Sequence, residues 1–197
     1  MKDHDTKQRI IDAGTKVITS KGYHGCGLKE ILDAAGVPKG SFYHYFKSKE
    51  DFGVAVIEDF TLRYANGLAK RFSNRDLSPI ERVRDYYGAA ITWYENNGFD
   101  QTCLVAKLGM DVSGMSSTMR NALRCGMQQW KALLAKCIRE AQDAGEIDSA
   151  WDADELASLL FNAWEGVAMQ CQIEQSTKPI HNFIDGMIDK MVTLETA

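Results

Sequence analysis

The chain has 197 residues, of which 45% are hydrophobic, and its 23 Lys and Arg against 27 Asp and Glu give a net charge of −4. That length holds one large domain or two small ones with a sizeable core, and the acidic balance taken alone argues against a nucleic-acid partner. The charge is segregated, however: residues 1–50 carry a net +3 and residues 51–197 a net −7, as expected if one end meets phosphate and the rest does not.

The opening Met1-Lys2-Asp3-His4-Asp5 lacks the apolar run of a signal peptide. Asp5 with Gln8 can cap a first helix, whose Ile10, Ile11, Ala13, Val17 and Ile18 form an apolar face to about Ser20, where Gly22 ends it. Leu28, Ile31, Leu32 and Ala35 fall at helical spacing and predict a short amphipathic helix over 28–35. Gly36 can take the positive φ that terminates it, and Pro38 suits the start of the next helix. That next helix carries Phe42, Tyr45 and Phe46 as its core face. Helix, sharp turn and helix in this order predict a helix-turn-helix. Ser48 with Asp51 opens a longer helix through Phe52, Val56 and Phe60 toward Phe72.

Ser78-Pro79-Ile80-Glu81 is a capping box with Pro in the first turn, predicting a helix to about Glu95 that stops at Asn96-Asn97-Gly98. Helices over 102–112 and 116–144 follow, the second closed by Gly145. Asp152 with Glu155 caps a helix through Leu156, Leu160, Trp164 and Met169, and Pro179 starts the last, with Ile180, Phe183, Ile184, Met187, Ile188, Met191 and Val192. The chain reads as all-α, with residues 1–50 as a DNA-binding part and residues 51–197 as a helical remainder.

Taken together, Gly22-Tyr23, Ile31, Ala34-Ala35-Gly36-Val37, Lys39-Gly40-Ser41-Phe42-Tyr43 and Tyr45-Phe46-Lys47-Ser48-Lys49-Glu50 resemble the DNA-binding domain of TetR-family repressors. The likeness is dense over residues 5–58. It departs at Gly27, where many family members place a Thr cap. The resemblance implies about nine helices, a three-helix amino-terminal DNA-binding domain, and a sensing and dimerisation domain behind it. It also implies a homodimer in which the last two helices of each subunit form a four-helix interface; the alternative is that their apolar stripes fill their own core. A two-fold protein of this kind matches a palindromic operator in double-stranded DNA. In such a motif the start of the second helix faces base edges. Lys39 and Ser41 are therefore the expected base readers, Gly40 allows close approach, Tyr43 and His44 reach backbone oxygens, and Lys49 adds a phosphate contact.

Five cysteines show no CxxC pair and no metal-like spacing with the four histidines, so reduced thiols and no metal are expected. No phosphate loop, nucleophile triad or zinc-protease signature occurs, so no enzyme and no cofactor are expected. No run of about 18 apolar residues occurs either, which points to a cytoplasmic protein without membrane attachment.

Cys103 falls in the first turn of the helix expected from residue 102, with Lys107 four residues on; a helix N-terminus and a nearby ammonium both favour a thiolate. Such a thiolate suits sensing of electrophiles or oxidants. The surrounding Leu104, Val105, Lys107 and Leu108, with the Pro38 to Phe46 run and Phe52-Gly53-Val54-Ala55, are similar to the NemR-like, N-ethylmaleimide-responsive subgroup. Cys26, Cys125, Cys137 and Cys171 read as packing residues. The alternative is non-covalent, with Trp93, Tyr94, Trp130, Phe161, Trp164 and Met169 lining an apolar pocket for a small-molecule effector. A reading from another class, an all-helical enzyme or scaffold that borrows the turn, lacks a catalytic set.

Overall fold

The computed structural model describes residues 2–99 and 104–191, with side chains from Thr6 onward. The chain divides into two compact units, Met1–Tyr64 with Thr102–Met127, and Ala65–Gln101 with Gln128–Ala197. Among the described residues every regular element is helical.

In the first unit, α1 (Lys2–Gly25) begins before the expected Asp5 and continues past Ser20. Gly22, with φ 77° and ψ 167°, interrupts it, and a side chain at that φ would be strained. Helix α2 (Leu28–Ala35) buries Ile31, Leu32 and Ala35 and packs on α1, where Ile10 and Ile18 are fully buried. Gly36 closes α2 in the left-handed conformation at φ 64°; its N–H donates to Asp33 O, and the Val37 N–H donates to Leu32 O. Arg9 reinforces this end by donating to Ala35 O at 2.6 Å.

Helix α3 (Lys39–Tyr45) starts one residue later than Pro38, which is the extended cap at ψ 154° rather than a first-turn residue. Its Phe42 is fully buried against Phe46 and Phe52, with ring centroids 5.2–5.6 Å apart. Helix α4 (Lys49–Phe72) is capped by Ser48, whose Oγ accepts from the Asp51 N–H at 3.0 Å. Residues 49–64 of α4 belong to this unit and 65–72 to the other.

The second unit contains α5 (Pro79–Asn97), opened by the complete Ser78 and Glu81 capping box. Helix α6 (Leu104–Val112) returns to the first unit, where it packs on α1. Helix α7 (Ser117–Asp143) contributes its first part to the first unit and its remainder to the second. Helix α8 (Ala153–Glu174) has Asp152 as its cap, accepting from the N–H groups of Asp154 and Glu155. It packs on α9 (Lys178–Phe183), which runs through a π-helical stretch, Ile184–Ile188, into α10 (Asp189–Met191). The final stripe is thus a single helical run widened in the middle rather than a uniform α-helix; Val192 lies outside the described residues. At the base of this unit Arg82, 3% exposed, donates to Glu140, Phe72 O and Leu77 O.

Candidate nucleic-acid interface and sensing region

The two sides of α3 have opposite characters. Phe42 and the adjacent Phe46 fix its inner side in the aromatic cluster, while Lys39, Tyr43 and His44 are exposed, Tyr43 at 59%. Lys39 and Tyr43 lie one turn apart and border an open groove of about 480 Å³ shared with Lys29 and Asp33 of α2 and with Pro38. Lys29 and Lys39 have no ion pair among the described residues. Ser41 is half-buried, with its N–H donating to Pro38 O at 3.0 Å. A methyl group at Gly40 would meet no atom within 4 Å, so this face leaves room for an incoming partner. His44 stands edge-on to Tyr45 at 4.8 Å. One ammonium and one phenol on the rigidly backed α3, with a second ammonium on α2 across the groove, are suited to donate to phosphate and base-edge acceptors.

Lys49, expected to contact phosphate, has partners within the protein. Its Nζ donates to Tyr23 O at 2.9 Å and Cys26 O at 2.7 Å and lies 4.7 Å from the centroid of the Tyr23 ring. The carbonyls at the end of α1 have lost their helical partners, and this ammonium satisfies them. Lys107 does the same from α6: its Nζ donates to Thr19 O at 2.8 Å and Ser20 O at 2.9 Å, beside the Gly22 interruption. Its expected companion Cys103 lies outside the described residues. One turn on, Asp111 accepts from the Tyr23 N–H at 2.9 Å, so α6 holds both a carbonyl pair and an amide of the broken helix.

Asp111 and Lys29 were not among the residues singled out from sequence. Lys29 carried a signal, being the basic residue opposite the apolar face of α2. Asp111 carried none, since its role exists only because α6 meets α1.

Three of the remaining thiols are unsuited to reaction. Burial pushes Cys26 and Cys171 above the usual thiol range and raises Cys137 to about 11. Cys125 departs from the packing role expected of it, for it is exposed on α7.

The six expected pocket residues do not form one lining. Trp93 and Met169 are exposed, at 41% and 57%, whereas Tyr94, Trp130 and Phe161 are buried. Trp130 meets Phe161 at 6.3 Å, Tyr94 donates to Ala168 O at 3.5 Å, and Trp164 joins Tyr87 and Phe183 at 5.0 and 6.0 Å. Helix amphipathicity placed all six at usable spacing, but Trp93 and Met169 fall on the outer side of their helices.

Residues 10–56 match the family model described as bacterial regulatory proteins, tetR family, and residues 79–187 match the tetracyclin repressor-like C-terminal domain. The chain is 39% identical to the transcriptional regulator AcuR of Cereibacter sphaeroides over 89% of its own length and 80% of that protein's. It is a member of the TetR family. A second relative, the HTH-type transcriptional repressor NemR of Escherichia coli, is 32% identical over 91% of this chain and 90% of NemR. The crystal structure of that NemR in its reduced form superposes with a TM-score of 0.91, covering 98% of this chain and all of the other at 30% identity. As a TetR-family protein the chain is a transcriptional regulator and not an enzyme. Regulators of this family bind operator DNA, act as dimers and respond to small molecules. Among the described residues of this TetR-family chain, no helix is long and apolar enough to cross a membrane.

Proposed function

We propose that the protein is a cytoplasmic, homodimeric repressor whose α3 reads a palindromic operator and whose remaining helices release it when an effector arrives. The observation that carries this is the two-sided α3, locked by Phe42 on one side and presenting Lys39 and Tyr43 to an open groove on the other. Lys39 and Ser41 read base edges, Gly40 gives close approach, and Tyr43, His44 and Lys29 hold the backbone. DNA recognition falls to residues 1–50, and effector response and pairing to residues 51–197. Pairing through the last two helical runs is supported by α8, which packs on α9 and still exposes Leu159, Met169 and Ile173 at 52%, 57% and 73%.

Release runs through α6. Cys103 immediately precedes Leu104, and Lys107 and Asp111 hold the end of α1 from that same helix. Covalent modification of Cys103 by an electrophile therefore acts on the element that grips the DNA-binding unit, and a typical coupling of about 1–3 kcal/mol lowers operator affinity about 5–150-fold. A relative whose structure is described as a reduced form favours a thiol as the responsive group. The non-covalent reading retains Tyr94, Trp130, Phe161 and Trp164, of which Trp130 and Phe161 pack on each other.

The test is a mobility shift on the DNA upstream of the protein's own gene, with and without N-ethylmaleimide. Binding that the reagent abolishes in the wild type but not in Cys103→Ser is expected. Absence of binding by the dimer contradicts the repressor reading, and undiminished release from the variant removes Cys103 from it.

A further inference from the structure

In the first unit, α4 and the start of α7 run side by side in the same direction. Residues 50, 53 and 61 of α4 meet residues 116, 119 and 126 in that order. First, the Ser116 hydroxyl donates to the Glu50 carboxylate and accepts from the Met119 N–H at 3.0 Å, so the cap of α7 is also a tie to α4. Next, a methyl group on Gly53 would lie 2.7 Å from Met119 Cε and 2.9 Å from the Tyr23 ring. Last, a methyl group on Gly126 would lie 2.4 Å from Cγ2, 2.6 Å from Cβ and 3.0 Å from Oγ1 of Thr61.

The two glycine contacts differ in what can give way. Met119 ends in a flexible thioether that can turn aside. Thr61 is β-branched and 5% exposed, and its hydroxyl donates to Glu58 O at 3.2 Å. A side chain at position 126 is therefore admitted only if α4 and α7 part, by about 1 Å to reach ordinary contact with Cγ2. Glycine inside a helix is less favourable than alanine, and here Thr61 occupies the place that a side chain would take. The contact also lies at an edge. Both helices continue into the second unit, α4 beyond Tyr64 and α7 beyond Met127, so Thr61 and Gly126 meet where the two helices leave the first unit.

We propose that Gly126 is a positioning residue for operator binding: its closeness to Thr61 fixes how α4 and α7 leave the first unit, and thereby the spacing at which a dimer presents its two α3 helices. A two-fold helix-turn-helix protein is selective for the distance between half-sites. Parting the helices at this contact therefore costs affinity on a palindrome and leaves recognition of a single half-site unaffected. The proposal rests on the homodimeric repressor reading, to which it adds the residue that sets the spacing.

The experiment compares the full-length wild type with Gly126→Ala, Thr61→Gly and the double variant. Each is titrated on the operator upstream of the protein's own gene, on that DNA with one half-site scrambled, and on operators with the half-sites one base pair closer or farther apart. Gly126→Ala is expected to bind the natural palindrome about tenfold more weakly, to keep the single half-site affinity and to favour an altered spacing. Adding Thr61→Gly makes room for the new methyl and is expected to restore the natural preference. Gly67→Ala, on α4 with nothing within 4 Å of the added methyl, is the control: a higher melting temperature and an unchanged spacing preference. Equal losses on palindrome and half-site, no recovery in the double variant, or a Gly126→Ala that binds every DNA as the wild type does overturns the proposal. Thr61→Gly alone loosens the contact without a clash and is expected to broaden the spacing preference; a preference as sharp as the wild type's overturns the proposal even where Gly126→Ala does not fold. No binding by the wild type to any of these DNAs sinks the repressor reading itself, and with it any operator role for Gly126.

Discussion

On the α2 and α3 surface, Lys29, Lys39 and Lys47 are exposed without an ion pair among the described residues, whereas in the second unit all five arginines are paired with carboxylates. One surface offers charge to a partner, and the other unit pairs its arginines internally and leaves a carboxylate, Glu165, without a partner among the described residues. Within the first unit the same contrast recurs at the level of single lysines. Lys39 reaches outward, while Lys49 and Lys107 reach carbonyls at the end of α1. What decides the direction is whether an unsatisfied backbone acceptor is within the length of the side chain.

The comparison is broken most severely by removing what backs the outward surface. Phe42→Ala is expected to cost about 3–5 kcal/mol in urea-induced unfolding, because it empties a fully buried cluster and frees α3 to shift. Next in size is Glu140→Gln, which leaves Arg82 buried with only carbonyl acceptors and is expected to cost about 2–4 kcal/mol.

The two glutamates also separate by sign. Hydrogen bonding from Arg82 holds the Glu140 carboxyl below the ordinary range, so its contribution is present above that range and is lost as the pH falls through the lower folded value. Thermal melts at falling pH are expected to destabilise the wild type more steeply than Glu140→Gln. Burial pushes the Glu165 carboxyl above that range, and it works in reverse: its stability contribution is full below the unfolded value and is lost as the pH rises through the folded value, so Glu165→Gln flattens the higher-pH limb.

A smaller effect sharpens the inward role of α6. Asp111→Asn is expected to cost about 1–2 kcal/mol and to lower hydrogen-exchange protection at the Tyr23 amide, its acceptor being weakened from charged to neutral. The smallest effect is on rates of thiol labelling. In the native protein Cys125 is expected to react with a disulfide reagent well before Cys26, Cys137 and Cys171, whose reaction waits on unfolding.

Much of this architecture was legible in the sequence. Helix α2 was expected over its observed span, and the caps at Ser48, Ser78 and Asp152 all form, because these are local events within a few residues. The aromatic backing of α3 by Phe42 and Phe46 was legible for the same reason, being carried by spacing alone. The inward lysines were not. Lys49 and Lys39 sit in one basic, aromatic segment, and only the broken end of α1, brought close by tertiary packing, separates their roles. Lys107 was expected to assist a thiol on its own helix, but its partners are 88 and 87 residues away in the chain. The outward positions of Trp93 and Met169 depend on which side of each helix finds a neighbour, which an apolar stripe with aromatic residues on several sides leaves open.

The division between outward and inward lysines is tested most directly by measuring operator affinity and melting temperature for Lys39→Ala and Lys49→Ala side by side. Loss of Lys39 is predicted to weaken operator binding by about 1–3 kcal/mol with the melting temperature unchanged. Loss of Lys49 is predicted to lower the melting temperature while the protein that remains folded keeps its operator affinity. The reverse pattern, or a wild-type dimer that binds its upstream DNA no more tightly than unrelated DNA, would contradict it.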